Sequence, residues 1–201
     1  AALADLADRL AASPGKAVPD SACSPMDRLN FIVPDRAGLP SFDRYAQVIM
    51  PDGARNAGYT EASRGCKHLC RHCPIVPVYQ GAFRIVQPDI VMEDIRRQVQ
   101  AGARHITFGD PDFFNGPAHA VRIVEALHRE FPDVTYDVTI KIEHLLKQRA
   151  AVRTLKETGC LFVTTAVESV NDEVLRKLDK GHTRADFRAA AELFRAEGLL
   201  L

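Results

Sequence analysis

Three cysteines in residues 64–73 form the most reactive group of side chains in this sequence. The segment reads Arg-Gly-Cys-Lys-His-Leu-Cys-Arg-His-Cys, so Cys66, Cys70 and Cys73 follow a Cys-x3-Cys-x2-Cys spacing directly after a glycine. Three thiolates on one short loop suit a metal ion or an iron–sulfur cluster. A structural zinc site needs a fourth ligand, whereas a cubane cluster on three cysteines leaves one iron open to a small molecule. The spacing therefore favours a cluster that takes part in chemistry.

Two other interpretations of this loop stay open. His68 or His72 could complete a zinc site, or the three thiols could be unrelated to one another. The chain has five cysteines, and an odd number with three of them clustered indicates reduced thiols rather than disulfide pairs. We expect Cys160 to be a small buried residue and His68 to face solvent.

Length, charge and hydropathy limit the class of protein. The chain has 201 residues, 46% of them hydrophobic, which is enough for one substantial core. Its 26 basic residues balance 26 acidic residues, so nucleic acid is not expected as a partner. No apolar run has the length of a membrane span, and the start lacks the pattern of a secretory signal. We therefore expect a cytoplasmic protein with no membrane partner.

Strands and helices alternate through the second part of the sequence. Apolar and β-branched runs predict strands at 57–63, 105–109, 134–142 and 161–167. Apolar residues at helical spacing predict helices at 88–102, 115–131, 145–158, 171–179 and 184–197. The third strand alternates strictly, so its apolar side chains are expected to meet helices while Thr139 and Lys141 face inward.

Repeated strand–helix units pack as a parallel sheet with right-handed crossovers. The predicted fold class is therefore α/β, a partial parallel (β/α) barrel whose C-terminal strand ends carry the chemistry. The cysteine loop follows the first strand at such an end. Since a complete barrel takes about 250 residues, we expect a barrel truncated after about four strand–helix units, with native sequence before residue 1 and after residue 201.

The first 53 residues have a different character. Residues 1–12 predict a helix, and residues 13–53 are rich in proline, aspartate and glycine, which indicates an extended linker that wraps onto the main domain with a short strand. We interpret residues 1–53 as an N-terminal helix and linker, a candidate end of an upstream domain. Residues 54–201 then form the incomplete core.

The cysteine loop resembles the cluster motif of the radical S-adenosylmethionine (SAM) enzymes. In that family three cysteines at this spacing hold a 4Fe–4S cluster, and SAM binds the remaining iron. The resemblance implies reductive cleavage of SAM to a 5′-deoxyadenosyl radical, which abstracts hydrogen from a substrate. It also implies an oxygen-sensitive enzyme with an electron donor such as flavodoxin or ferredoxin. The substrate, a small molecule or a peptide, is not identified.

Three further strand ends resemble the family. Gly109 and Asp110 stand where relatives bind the amino group of SAM, and an ammonium suits a carboxylate. Glu168 and Ser169 match a Glu-Ser turn that would meet the ribose of SAM. Lys141 stands where many relatives have an arginine, and it would hold a carboxylate of SAM or of the substrate.

The resemblance also assigns His72, which precedes the third cysteine, to stacking on the adenine. Each of the other assignments has a structural alternative. Asp110 could start a turn, Ser169 could cap a helix, Glu168 could belong to an ion pair, and Lys141 could be a solvated side chain. Lys180 is a further basic candidate.

Residues 61–66 and the Lys-Gly-His-Thr segment at 180–183 are most similar to the branch with an upstream cobalamin-binding-like domain. Within it, the chain is similar to an uncharacterised group named for a Cys/selenocysteine-Ala-Glu-Pro tail. The tail and a cobalamin-binding motif are both absent from these 201 residues, so the residues present do not support cobalamin, which stays open as a cofactor. The alternative function is a non-catalytic iron–sulfur or zinc protein that acts as a sensor or scaffold.

Overall fold

The structure is a computed structural model that describes residues 8, 11, 12 and 29–201. Asp8, Ala11 and Ala12 are helical. The rest of the helix predicted at 1–12, and the predicted linker from 13 to 28, lie outside the described residues. The domain boundary after residue 53 stays a prediction.

Parallel strands form the centre of the fold. The strands are β1 (Gln47–Met50), β2 (Gly53–Thr60), β3 (Ser63–Gly65), β4 (Phe83–Ile85), β5 (His105–Phe108), β6 (Thr135–Thr139) and β7 (Cys160–Thr164). One sheet has the order β1-β2-β5-β6-β7, and β3 pairs with β4 separately. Strands β2, β5, β6 and β7 are parallel, whereas β1 is antiparallel to β2. The predicted α/β fold with a partial parallel barrel is confirmed.

The start of a further strand lies beside β7. Leu200 forms a parallel bridge with Phe162, and the backbone N–H of Val163 donates to the carbonyl oxygen of Leu200 at 2.9 Å. The described sheet therefore has four parallel strands and the beginning of a fifth, in agreement with the four predicted strand–helix units.

Helices cover the outer face of the sheet. They are α1 (Val76–Tyr79), α2 (Pro88–Gln100), α3 (Pro117–Glu130), α4 (Ile142–Lys147), α5 (Arg149–Glu157), α6 (Asp172–Leu178) and α7 (Arg184–Glu197). Prolines in the first turn start α2 and α3, and Thr183 with Asp186 forms a capping box for α7. Among the described residues, no helix combines the length and the hydropathy needed to cross a membrane.

The core lies between the sheet and these helices. Ile106, Phe108, Tyr136 and Val138 alternate along β5 and β6, and none is more than 1% exposed. The hydroxyl of Tyr136 donates to the carbonyl oxygen of Leu155 in α5 at 3.2 Å. The apolar face of the third predicted strand therefore meets the helices, as its alternation predicts.

Several element ends differ from the sequence predictions. The first parallel strand ends at Thr60 rather than at residue 63, because the backbone N–H of Ala62 turns away to bond Asp110. The strand predicted to reach residue 142 ends at Thr139, because Ile142 begins a helix whose buried side chains recur at helical spacing. The helix predicted at 145–158 is divided into α4 and α5.

An ion pair between a half-buried arginine and a buried aspartate anchors the segment that precedes β1. Arg36 Nε lies 2.7 Å from Asp94 Oδ1, and a second guanidinium nitrogen donates to the other carboxylate oxygen at 2.9 Å. Asp94 lies on α2 and is 2% exposed, and its carboxylate also accepts a bond from Gln98. The segment around Arg36 therefore packs onto the barrel.

Replacing Arg36 with alanine is expected to lower the free energy of unfolding by about 2 kcal/mol, because the buried carboxylate of Asp94 loses its cation. Urea denaturation measures the change. Arg44→Ala, which removes an exposed arginine nearby, is the matched control and should change stability by less than about 0.5 kcal/mol. Equal losses in the two variants would contradict the anchoring role.

Candidate functional site

The cysteine loop lies between β3 and α1, beyond the C-terminal end of β2. Its first turn depends on Gly65, which has a φ of 86°. A Cβ at this position would lie 2.6 Å from the carbonyl oxygen of Ala82, so only glycine fits before the first cysteine. Cys66, Cys70 and Cys73 are free thiols. The backbone N–H of Cys73 donates to the carbonyl oxygen of Cys70 at 3.1 Å and closes a turn within the loop.

A buried asparagine from the loop after β5 holds the start of the cysteine loop. Asn115 Nδ2 donates to the carbonyl oxygen of Gly65 at 3.1 Å, and its Oδ1 accepts from the backbone N–H of Lys67 at 3.2 Å. The sequence prediction assigned Asn115 to the start of a helix and missed this role. The helix cap is Gly116 instead. The signal for this role in the sequence was a side-chain amide between the end of a strand and the Gly116-Pro117 pair.

Asp110 also positions the loop, through two residues that precede it in the chain. Its carboxylate accepts from the backbone N–H of Ala62 at 2.8 Å and from Ser63 Oγ at 2.6 Å, and the residue is 2% exposed. Burial raises the pKa of Asp110 to about 6, although the bonds from Ser63 and Ala62 oppose this shift. Gly109 packs so closely on Tyr59 that a side chain would overlap the ring. The predicted contacts of Gly109 and Asp110 with an ammonium stay predictions.

Most of the predicted site residues share one cavity, which we call the cysteine cleft. It is lined by Cys66, Cys70, His72, Cys73, Ile75, Pro111, Thr139, Ile140, Lys141, Ala166, Glu168 and Lys180. The lining comes from the cysteine loop and from segments after the parallel strands, where barrel enzymes have their sites. Three thiols in one cavity are the donor set that a three-cysteine cluster requires, so the residues present fit such a cluster.

Lys141 supplies positive charge beside the thiols. Its Nζ lies 3.7 Å from Cys70 Sγ and 3.7 Å from Glu143 Oε2, and its side chain is only 12% exposed. Burial raises the pKa of the Cys66 thiol above its ordinary value, and Lys141 opposes part of this shift. A cation in this position favours thiolates and other anions in the cleft.

Glu168 contacts two other residues of the cleft. One of its carboxylate oxygens lies 3.1 Å from His72 Nε2 and 3.4 Å from Lys180 Nζ. Burial raises the pKa of Glu168, but Lys180 and His72 lower it more, so the pKa is below its ordinary value. Its φ of 63° is rare for a residue with a side chain. Such strain is concentrated at functional sites.

Ser169 is not part of the cleft lining. Its Oγ accepts from the backbone N–H of Asn171 at 3.0 Å. Asn171 caps α6, because its Oδ1 accepts from the backbone N–H groups of Glu173 and Val174. The predicted contact of Ser169 with a ribose stays a prediction, and the observed bond gives this side chain a local structural role.

The prediction that His68 faces solvent is wrong. Its side chain is 16% exposed and lies 3.6 Å from Asp112 and 3.2 Å from His144, measured between the nearest polar atoms. Burial, Lys141 and His144 lower the pKa of His68 to about 4, so its imidazole is neutral near pH 7. The sequence analysis missed Asp112 and left His144 without a partner, because His144 lies 76 residues from His68 in the chain.

Comparisons with known proteins agree with this geometry. A model of the Radical SAM superfamily matches residues 60–200. The hopanoid C-3 methylase of Methylococcus capsulatus is 28% identical over 139 residues, which cover 69% of this chain and 26% of the methylase. The tRNA-2-methylthio-N(6)-dimethylallyladenosine synthase of Chlorobium phaeobacteroides is 26% identical over 159 residues, which cover 72% of this chain and 35% of the synthase.

A solved structure has the same fold. The radical S-adenosylmethionine methyltransferase TsrM from Kitasatospora setae, with cobalamin and a 4Fe–4S cluster bound, aligns with a TM-score of 0.62 at 18% identity. The alignment covers 80% of this chain and 34% of TsrM. The chain thus spans about a quarter to a third of the length of these three proteins.

Asp110→Asn is expected to alter the pH dependence of stability. Asp110 has a pKa of about 6 in the folded protein, whereas the ordinary pKa of an aspartate is 3.8. Between these two pH values the folded state therefore binds more protons than the unfolded state. Wild-type stability should therefore fall as pH rises from about 4 to 6, by up to about 3 kcal/mol relative to the non-ionising variant. Urea denaturation across this range measures it. The exposed Asp89→Asn control should follow wild type, and parallel wild-type and Asp110→Asn curves would contradict the prediction.

Proposed function

Because the chain belongs to the radical SAM superfamily, whose model matches residues 60–200, we propose that it is the cluster-binding part of an enzyme that cleaves SAM reductively and abstracts hydrogen from a substrate. The observation that carries this proposal is the cysteine cleft, in which three free thiols share one cavity with Lys141 and Glu168. In this proposal Cys66, Cys70 and Cys73 bind a 4Fe–4S cluster and leave one iron for SAM.

When bound, the cluster and SAM supply an electron and the 5′-deoxyadenosyl radical. The chain binds and orients the reactants. Lys141 would pair with a carboxylate, since its ammonium is held within the cleft beside Cys70. Glu168 would accept hydrogen bonds from ribose hydroxyls, because it is ionised and lines the same cavity. His72, within the loop, would stack on the adenine.

Apolar side chains form the rest of the cleft wall. Ile75, Pro111, Ile140 and Ala166 all line the cavity, and Ile140 is fully buried. Side chains of this kind exclude water from a reacting centre and so protect a radical from side reactions. In this proposal Asn115 has no contact with the reactants, and the contact of Asp110 with the ammonium of SAM stays a prediction. Both residues fix the loop that carries the thiols.

We further propose a cytoplasmic location, since cluster thiols must stay reduced, and an electron donor such as flavodoxin or ferredoxin. The substrate class is a small molecule or a peptide. The two curated relatives are named for methylation of a hopanoid and methylthiolation of a tRNA, so transfer of a methyl or methylthio group is the first reaction to test. TsrM was solved with cobalamin, and the residues of this chain by themselves do not support that cofactor.

Replacing Cys66, Cys70 or Cys73 with alanine is expected to abolish both cluster absorption and SAM cleavage after anaerobic reconstitution with iron and sulfide, because each thiolate is one of three ligands. Iron analysis, the visible spectrum and 5′-deoxyadenosine release after reduction measure the effect. Cys160→Ala removes a buried thiol outside the loop and should retain both properties. Zinc without iron in the wild-type protein, or a cluster that does not cleave SAM, would favour the sensor or scaffold alternative.

Glu168→Gln is expected to weaken SAM binding about tenfold, because a charge-assisted hydrogen bond is replaced by a neutral one. Calorimetric titration of the reconstituted protein with SAM measures the affinity, and iron analysis checks that the cluster is intact. Glu125→Gln changes an exposed glutamate on α3 and should bind SAM like the wild type. An unchanged affinity in the Glu168 variant would remove Glu168 from the SAM site.

A further inference from the structure

Three potential metal ligands converge beside the cysteine loop. They are His68 from the loop, Asp112 from the segment after β5, and His144 from α4, and one ligand atom from each lies within 4.8 Å of the other two. None of the three lines the cysteine cleft. They therefore form a separate group of side chains.

Two members of the group are buried and have polar atoms without hydrogen-bond partners. The side chains of Asp112 and His144 are 0% and 5% exposed. Within the described part of the chain, Asp112 Oδ2 and His144 Nδ1 make no hydrogen bond. They lie 2.7 Å apart, as a carboxylate oxygen and an imidazole nitrogen in contact with each other. A cation bound between the three side chains would give both buried atoms a further partner.

The spacing of the group suits a tetrahedral ion. Ligand atoms about 2.1 Å from such an ion lie about 3.4 Å from each other. With Nε2 as the donor atom of His144, the Nε2 atoms of His68 and His144 are 3.2 Å apart, within hydrogen-bonding distance of each other, and His68 Nε2 is 3.6 Å from Asp112 Oδ2. Two imidazole nitrogens with one carboxylate oxygen form a donor set that binds zinc and related divalent transition ions in preference to magnesium or calcium.

Neighbouring groups orient two of these side chains. The backbone N–H of Phe114 donates to Asp112 Oδ1 at 3.2 Å, so Oδ2 remains directed to the group. His68 Nδ1 lies 3.9 Å from the Glu143 carboxylate. A carboxylate beside the distal nitrogen of a histidine is the usual outer partner of a metal-bound imidazole.

We propose that His68, Asp112 and His144 bind a divalent transition ion of the zinc class, in a second metal centre separate from the three thiols. The ion joins the cysteine loop to the segments that follow β5 and β6. The proposal does not depend on the cluster, because none of its ligands is a cysteine.

The test uses protein that has been anaerobically reconstituted with iron and sulfide, then equilibrated with Zn²⁺ and desalted. Elemental analysis should find about one zinc ion per chain in addition to the cluster iron. His68→Ala, a loop variant, and Asp112→Asn, a variant of nearly the same shape, should each lower zinc affinity by more than about 100-fold while iron is retained. His128→Ala, on α3 and outside the group, should keep the zinc. Absence of zinc from the wild type, or equal zinc in the His68 and His128 variants, overturns the proposal.

A second arm separates this proposal from the proposed function. A variant with all three loop cysteines changed to alanine cannot hold the cluster, so any zinc it binds is not held by these thiols. Calorimetric titration with Zn²⁺ should still give about one site, which the further change His68→Ala removes. If the cysteine variant binds zinc while wild-type protein fails to cleave SAM, the second centre stands and the proposed function fails. Binding that is unaffected by His68→Ala refutes the second centre.

Discussion

Buried hydrogen bonds between the cysteine loop and the end of β5 determine the geometry of the candidate site. Asp110 bonds Ala62 and Ser63 just before the loop, and Asn115 bonds Gly65 and Lys67 at its start. Asp110 and Asn115 are buried, so breaking one of these bonds leaves a buried polar atom unsatisfied. These bonds therefore hold the loop against the barrel, and the positions of the thiols follow from this.

The two buried lysines of the cysteine cleft are each paired with a carboxylate. Lys141 and Lys180 are largely buried, and each is close to one carboxylate, Glu143 or Glu168. Buried cations require such partners. Lys141 also lies beside Cys70, so it is available to an anionic group in the cleft. The same pairing keeps Glu168 ionised at the cavity wall, where its left-handed backbone directs the side chain.

The cysteine loop carries two kinds of metal-binding side chain. Its thiols line the cleft, whereas His68, between the first and second cysteines, lies against Asp112 and His144. Soft sulfur ligands and harder nitrogen and oxygen ligands are thereby kept apart, which matches the preferences of iron–sulfur clusters and of zinc-class ions respectively. A loop held by several side chains loses less conformational freedom when it binds a cofactor, and preorganisation of this kind favours binding.

Local sequence patterns were sufficient for the fold class and for the central chemistry. The spacing of Cys66, Cys70 and Cys73, the strict alternation of β6 and the proline starts of α2 and α3 are all determined by neighbouring residues, so the sequence predicts them directly. Strand ends were less predictable. Thr60 ends its strand because Ala62 bonds Asp110, 48 residues along the chain, and Thr139 ends its strand because a helix begins at Ile142.

Only the tertiary structure identified the partners of the buried polar side chains. Asp110 meets Ser63 across 47 residues, His68 meets His144 across 76, and Glu168 meets His72 across 96. No periodicity relates positions so far apart. The parallel sheet brings the C-terminal ends of its strands to one edge, and only there do these side chains come within hydrogen-bonding distance. The sequence thus determined which reactive groups the chain carries, and packing of the barrel decided which of them act together.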